Sequence, residues 1–167
     1  SLADEPLAST CAQYIAAARK NKALISVDAS SASVLTQYGI QRYQVLMKSL
    51  QPDVFLCNED EAETLGLNAN TPMIGAQLTV IKQGPLPVIV VHQDGTSQMH
   101  RVPAVDNIVD TTGAGDSFTS ALAVALAEGK DLHTAVNFAS ASGAHCVGIA
   151  GVIDSLPWRE DIARKLA

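Results

Sequence analysis

Four short runs rich in branched apolar residues, "ALISVDAS", "DVFLCN", "LTVIKQG" and "PVIVVH", recur along the chain between segments of helical spacing. That alternation is the strongest constraint on the fold, because strands separated by helices pair in parallel and need helices on both faces. An amphipathic helix from Ala8 to Lys20, with Ser9 or Thr10 near its cap, feeds the first strand, whose carboxyl end carries Asp28. "SVLTQYGIQRYQVLMKSL" is helical with one break near Gly39, and "DVFLCN" is a strand ending on Asn58. "EDEAETLGL" has acids in its first turn and a Gly at its end, as a short helix should. "LTVIKQG" and "PVIVVHQDGTSQMHRV" predict two strands followed by a hairpin partner that turns at Asp94 and Gly95. The last third is helical: Ala114 to Glu128, Asp131 to about Val147, and Pro157 to Leu166 with Pro157 in the first turn. The expected fold class is α/β, with a mostly parallel sheet.

At 167 residues the chain has the length of one ordinary domain, and with 47% hydrophobic but only 4% aromatic residues its core should be built from Ala, Val, Leu and Ile. Eleven basic residues against 17 acidic ones give a net charge of −6, and no Lys/Arg run occurs. Extended contact with nucleic acid or an anionic membrane is therefore not expected. Cys11, Cys57 and Cys146 are scattered without C-x-x-C spacing, which predicts reduced thiols and a cytoplasmic setting. The apolar run from Ala121 to Ala127 is too short to span a bilayer and is closed by Glu128. The opening "SLADEPLAST" contains no strand before the first helix. Ligand sites in open α/β sheets lie at the carboxyl ends of several strands, so upstream elements are expected.

Two segments carry chemistry. In "VDTTGAGDSFTSALAVAL", Val109 to Leu126, a Gly-rich turn runs into an apolar helix, and "NIVD" just before that turn, residues 107–110, reads as strand-like. It is not a Walker A loop, since no G-K-[ST] follows, nor a dinucleotide fingerprint, since Phe118 stands where the third Gly would be. The glycines allow close backbone approach, and the amides of Gly113, Ala114, Gly115 and Asp116 would converge on an oxyanion at the helix start. A carboxylate there competes with an anion unless its task is to accept a proton from the group that attacks it. Spacing alone leaves open a plain Asp at the start of an ordinary helix. In "NEDEAE", Asn58 and Glu61 are three apart at the end of a strand, so on a helix they share a side and could order waters around a divalent cation. For that segment alone, an acidic first turn that complements the helix dipole is the stronger reading. The four histidines form no H-x-x-x-H or H-E-x-x-H pair and read as structural, as does Trp158, expected to pack the last helix against the body. No G-x-S-x-G is present, which removes a serine hydrolase of that type.

"DTTGAGDSF" resembles the second signature of the ribokinase, or PfkB, family of carbohydrate kinases, and "NEDE" resembles that family's Asn-x-x-Glu motif, in the same order and spacing. "VIKQG" with the following hairpin is similar to the segment beside the nucleotide, and "GVIDSLPWREDI" to the tail of bacterial ribokinases. The resemblance covers essentially the whole chain but only the carboxyl-terminal part of a family member. It implies a ribokinase-like three-layer α/β/α sandwich over residues 1–167, a single nucleotide-binding α/β domain whose lid and amino-terminal strands are absent. It implies ATP-dependent phosphorylation of a sugar hydroxyl, of ribokinase or fructokinase type, with Asp116 as general base. The amides of Gly113, Ala114 and Gly115 would stabilise the transferring phosphoryl group. Asn58 and Glu61 would organise Mg²⁺ and phosphate through water, while Lys82, Gly84, Asn137 and Ser140 would flank the nucleotide. Asp110, Thr112, Gly151 and Ser155 fall where many members bind K⁺. The implied partners are a small sugar and ATP, with a homodimer as the full-length assembly. A nucleoside kinase of the same family and a nucleotide-binding module without turnover remain alternatives, as does a nonbinding α/β domain. One departure stands out: Pro87 occupies a place where many relatives have a second Gly, which stiffens the loop beside the nucleotide.

Overall fold

The computed structural model describes residues 5–166. Its elements run α1 (Leu7–Lys20), β1 (Ser26–Asp28), α2 (Ala32–Tyr38), α3 (Ile40–Leu50), β2 (Val54–Asn58), α4 (Glu59–Leu65), β3 (Leu78–Lys82), β4 (Val88–His92), β5 (Ser97–His100), α5 (Ala114–Ala127), α6 (Leu132–Cys146) and α7 (Arg159–Leu166). The five strands lie in chain order β1-β2-β3-β4-β5. β1 and β2 are parallel, with Asp28 opposite Leu56. The short links between β3, β4 and β5 leave no room for a crossover, so those neighbours run antiparallel and the sheet is mixed. The α/β class expected from the alternation is the one observed.

By their internal packing the residues fall into two compact units, one comprising the chain up to Ile81 with Val90–Ser97, the other Lys82–Ile89 with the chain from Gln98. In the first, β2 is buried along Val54 to Cys57 and only Asn58 emerges, which is why that strand reads as a continuous apolar run. Phe55, Leu56, Met47 and Leu35 are fully buried around it. Tyr43 packs edge-on to Phe55 at 6.3 Å between centroids. Asp53 Oδ2 accepts the Ile25 amide at 2.7 Å and the Arg19 guanidinium at 2.7 Å, which fixes the entries to β1 and β2. α2 and α3 divide at Gly39, as expected.

α1 begins one residue before the expected start, and neither Ser9 nor Thr10 caps it. Pro6 holds the cap position, and the two hydroxyls turn back to Glu5 Oε2 at 2.6 Å and the Pro6 carbonyl at 3.1 Å. A proline has no N–H to satisfy and its fixed φ suits a helix start, so it precedes the first turn at little cost.

In the second unit α5 and α6 pack through small side chains: Ala121, Leu122 and Ala125 on one helix, Ala135, Val136, Ala139 and Ala141 on the other, are all buried. The core is thus Ala-rich, as the composition predicted. Ser117 and Ser142 share a buried hydrogen bond of 2.7 Å, which satisfies two hydroxyls inside this apolar contact. Three expectations need correction here. Residues 107–110, "NIVD", form no strand; the amides of Val109 and Asp110 donate to the Val147 carbonyl at 2.8 and 3.3 Å, so this segment docks on the end of α6 instead of a sheet edge. α7 starts at Arg159, beyond Pro157, because Asp161 Oδ2 accepts the Trp158 amide at 2.8 Å and sets the first turn there. Trp158 does not pack the helix: it is 79% exposed, and Ile162, at 4%, is the residue of α7 that is buried.

Candidate active site

In the first unit the site residues sit at the carboxyl ends of β1 and β2. The Asn58 side chain accepts from the Glu61 amide at 2.9 Å, while Glu61 Oε2 accepts from the Asn58 amide at 2.8 Å, a reciprocal capping box. Asn58 Nδ2 adds a bond to Glu61 Oε1 at 3.1 Å. Asn58 is exposed and Glu61 is buried, so the amide faces solvent and the carboxylate is held behind it. The acidic first turn weighed from sequence is present, and the reciprocal cap comes in addition to it. The cap is compatible with a cation, because every oxygen in the box keeps a lone pair and hard oxygen donors suit Mg²⁺ through water.

Tyr43 belongs to the same cluster and was not singled out from sequence. Burial pushes its phenol above the ordinary value, and the charges of Asp28, Cys57 and Glu61 push the same way. Asp28 and Glu61 therefore lie close enough to act on one ring, although they are 33 positions apart in the sequence. No local spacing signals this.

In the second unit, Gly113 is the N-cap of α5 with φ 82°, a left-handed conformation that favours glycine. A Cβ there would meet Val152 Cγ1 at 2.9 Å. Asp116 is exposed in the first helical turn. The Ala114 amide closes a turn onto the Thr111 carbonyl at 3.3 Å. Among the described residues no partner is seen for the amides of Gly115 and Asp116, as expected of a helix start. Lys82 Nζ lies 3.4 Å from Thr119 Oγ1 and would be 3.7 Å from a Cβ placed on Gly115, so a cation stands over this first turn. Unpaired amides, the helix dipole and an ammonium together favour an anion. Gly84 sits in the turn that the Leu86 amide closes onto the Gln83 carbonyl at 3.0 Å.

Asp110 Oδ1 accepts the Thr112 amide at 2.9 Å and Oδ2 accepts the Gly151 amide at 3.4 Å. The Thr112 side-chain and backbone bonds, then the Gly151 amide, hold the Asp110 carboxyl below the usual range. Ser155 is buried; its amide donates to the Gly151 carbonyl at 3.2 Å and its hydroxyl to the Val152 carbonyl at 3.1 Å. The structure thus brings together the four residues Asp110, Thr112, Gly151 and Ser155 through one turn and one carboxylate. On α6, Asn137 Nδ2 lies 2.9 Å from His133 Nε2, and Ser140 Oγ is buried with no hydrogen-bond partner among the described residues. An orphaned hydroxyl of that kind suits a residue that acquires a partner from a ligand.

His100, at the end of β5, is 3% exposed, and among the described residues neither ring nitrogen has a hydrogen-bond partner. Burial first, then the charge of His133, holds its pKa below the ordinary histidine value. The unfolded chain takes up this proton near pH 6.5 while the folded chain resists it, so the contribution is neutral above about pH 6.5 and becomes destabilising as pH falls through the interval down to the lower folded value. The melting temperature should drop between pH 7 and pH 5.5, and His100→Gln should flatten that drop; equal slopes in the two proteins would show that another group carries it.

The pattern of the pfkB family carbohydrate kinases matches residues 1–159, and the chain belongs to that family. Ribokinase from Arabidopsis thaliana is 36% identical over 94 residues, which cover 56% of this chain and 24% of that one. Adenosine kinase from Schizosaccharomyces pombe is 36% identical over 87 residues, 50% of this chain and 25% of that one. Among solved structures, Arabidopsis thaliana ribokinase complexed with ribose and ATP superposes with a TM-score of 0.75 at 26% identity, covering 92% of this chain and 51% of that one. The chain therefore spans about half the length of that structure. Among the described residues, no helix is long and apolar enough to cross a membrane.

Proposed function

We propose that the chain is the nucleotide-handling part of a sugar kinase that transfers the γ-phosphoryl group of ATP to a sugar hydroxyl. The observation that carries this reading is the start of α5, where Asp116 stands exposed beside unpartnered amides and the Lys82 ammonium. Phosphoryl transfer needs positioning and charge stabilisation more than covalent participation, so donors, cations and one proton acceptor suffice. Asp116 takes the proton of the attacking hydroxyl, and the amides of Gly113, Ala114 and Gly115 hold the oxygens of the group in transit. For Ala114 this requires its long turn bond to Thr111 to open. Lys82, Gly84, Asn137 and Ser140 flank the nucleotide. Asn58 and Glu61 would hold Mg²⁺ through water, and the ion would supply neutralisation of phosphate charge. Asp110, Thr112, Gly151 and Ser155 offer carboxylate, hydroxyl and carbonyl oxygens, a donor set that suits K⁺.

The acceptor is of ribose or fructose type. A nucleoside acceptor is the second reading, favoured by the likeness to an adenosine kinase at the same identity as to a ribokinase.

The test is calorimetric titration with a non-hydrolysable ATP analogue, with and without Mg²⁺, beside turnover assays with ribose, fructose and adenosine. Binding that needs Mg²⁺ is expected; absence of nucleotide binding in a protein that also turns over none of the three acceptors would remove the kinase reading. In the same titrations Asn58→Ala and Glu61→Ala should raise the Mg²⁺ concentration needed for half-maximal binding. Glu61→Gln separates the two roles, because a glutamine can complete a capping box while lacking the charge. An unchanged magnesium curve in all three variants would take both residues out of the metal network.

A further inference from the structure

The histidines have no metal-binding spacing in sequence, and among the described residues no group of three or more His, Cys, Asp or Glu side chains could hold a metal ion. The fold nevertheless brings two imidazoles together from different elements. His100, from the end of β5, and His133, from the first turn of α6, have ring centroids 5.3 Å apart. We propose that His100 and His133 form a two-imidazole site for a borderline transition-metal ion such as Zn²⁺ or Ni²⁺, with its remaining positions open to water.

Three observations support this. Two imidazoles bound to one zinc ion at about 2.0 Å per bond, with a tetrahedral angle between them, have centroids about 5 Å apart. The observed separation fits that arrangement. His100 also has both nitrogens buried and, among the described residues, unpartnered, so its neutral ring offers a lone pair that no described group uses. A buried acceptor in that state is destabilising, and a metal bond would offset the deficit. His133, finally, already has an orienting partner in Asn137, whose amide lies 2.9 Å from Nε2. With the amide oxygen turned toward the ring, Nε2–H donates to Asn137 and Nδ1 is left for the ion, the outer-shell pattern that fixes ligating histidines. His133 is exposed, which gives the ion a path in.

The site is separate from the phosphate turn. On α6, His133 precedes Gly143 by ten residues, about 15 Å of helix, and it is Gly143 whose added Cβ would lie 3.2 Å from the Ala114 carbonyl. The oxygen donors assigned to Mg²⁺ are of another chemical kind. Imidazole selects the later first-row ions, so Mg²⁺ should not compete.

The experiment is titration of the reduced protein with Zn²⁺ and with Ni²⁺ at pH 7.5, in the presence of excess Mg²⁺. About one ion per chain is expected, with affinity falling as the pH is lowered through the histidine range. His133→Gln, at an exposed position, should weaken binding at least tenfold without altering the far-ultraviolet spectrum, and His100→Gln should do the same where it folds. No zinc or nickel binding by the unsubstituted protein would overturn the site. So would binding that His133→Gln leaves unchanged, since the ion would then sit elsewhere, for instance on the Cys11 thiol.

Discussion

Asp116→Asn should lower turnover by about 10²–10⁴-fold, the usual contribution of a positioned proton acceptor, while nucleotide affinity stays nearly unchanged. The asymmetry follows from when the carboxylate acts. In the proposed role it takes a proton only as the hydroxyl attacks, so its removal would cost transition-state stabilisation and leave ground-state binding alone. Asparagine is close in shape and keeps the first turn of α5 intact, so the Gly113 cap and the amides beside it remain as they are. The measurement pairs steady-state ADP release with calorimetric titration of the ATP analogue on both proteins. Turnover near that of the unsubstituted protein would remove Asp116 as the base. Loss of nucleotide affinity in step with turnover would instead make it a binding group.

Gly75→Ala should be the most damaging small substitution in the first unit. Its φ is 89°, and a Cβ there would lie 2.7 Å from Lys48 Cα and 2.7 Å from the Met47 carbonyl oxygen. Both obstacles are backbone atoms at the end of α3, so no side chain can swing aside. An L-residue in the left-handed region costs about 1–2 kcal/mol, and forcing atoms into an occupied space adds about 1–3 kcal/mol. For a chain of this length the melting temperature should fall by about 5–15 °C. Gly66→Ala is the control: its φ is also positive, at 72°, but nothing lies within 4 Å of the added Cβ. Equal losses in the two variants would show that conformation alone, and not the approach to α3, sets the cost.

The parts of the fold written in local pattern were legible in advance. β2 is buried on both faces, so its apolar run could be read directly; Gly39 divides α2 from α3, and Asp94 with Gly95 turns the hairpin, where turn chemistry says they should. The start of α5 was legible too, because a glycine turn, an acid and an apolar helix are neighbours in sequence. What escaped depends on partners distant along the chain. Whether Trp158 or Ile162 is buried is set by the placement of α7, since both are large and apolar. "NIVD" has the composition of a strand, but its amides found the Val147 carbonyl first. Tyr43 and the His100–His133 pair are invisible for the same reason, since each joins elements whose proximity is a product of folding.

The capping box at Asn58 and Glu61 restricts what substitution can explore. α4 has seven residues, too few to persist by propensity alone, and its start rests on those two side chains. If the same pair also serves a cation, its chemistry is doubly constrained. A replacement that improved metal affinity but could not reciprocate the backbone bonds would lose the helix, and one that kept the helix with a neutral side chain would weaken the ion. Variants that satisfy both are few, and this seven-residue helix becomes one of the places where sequence drift is least free.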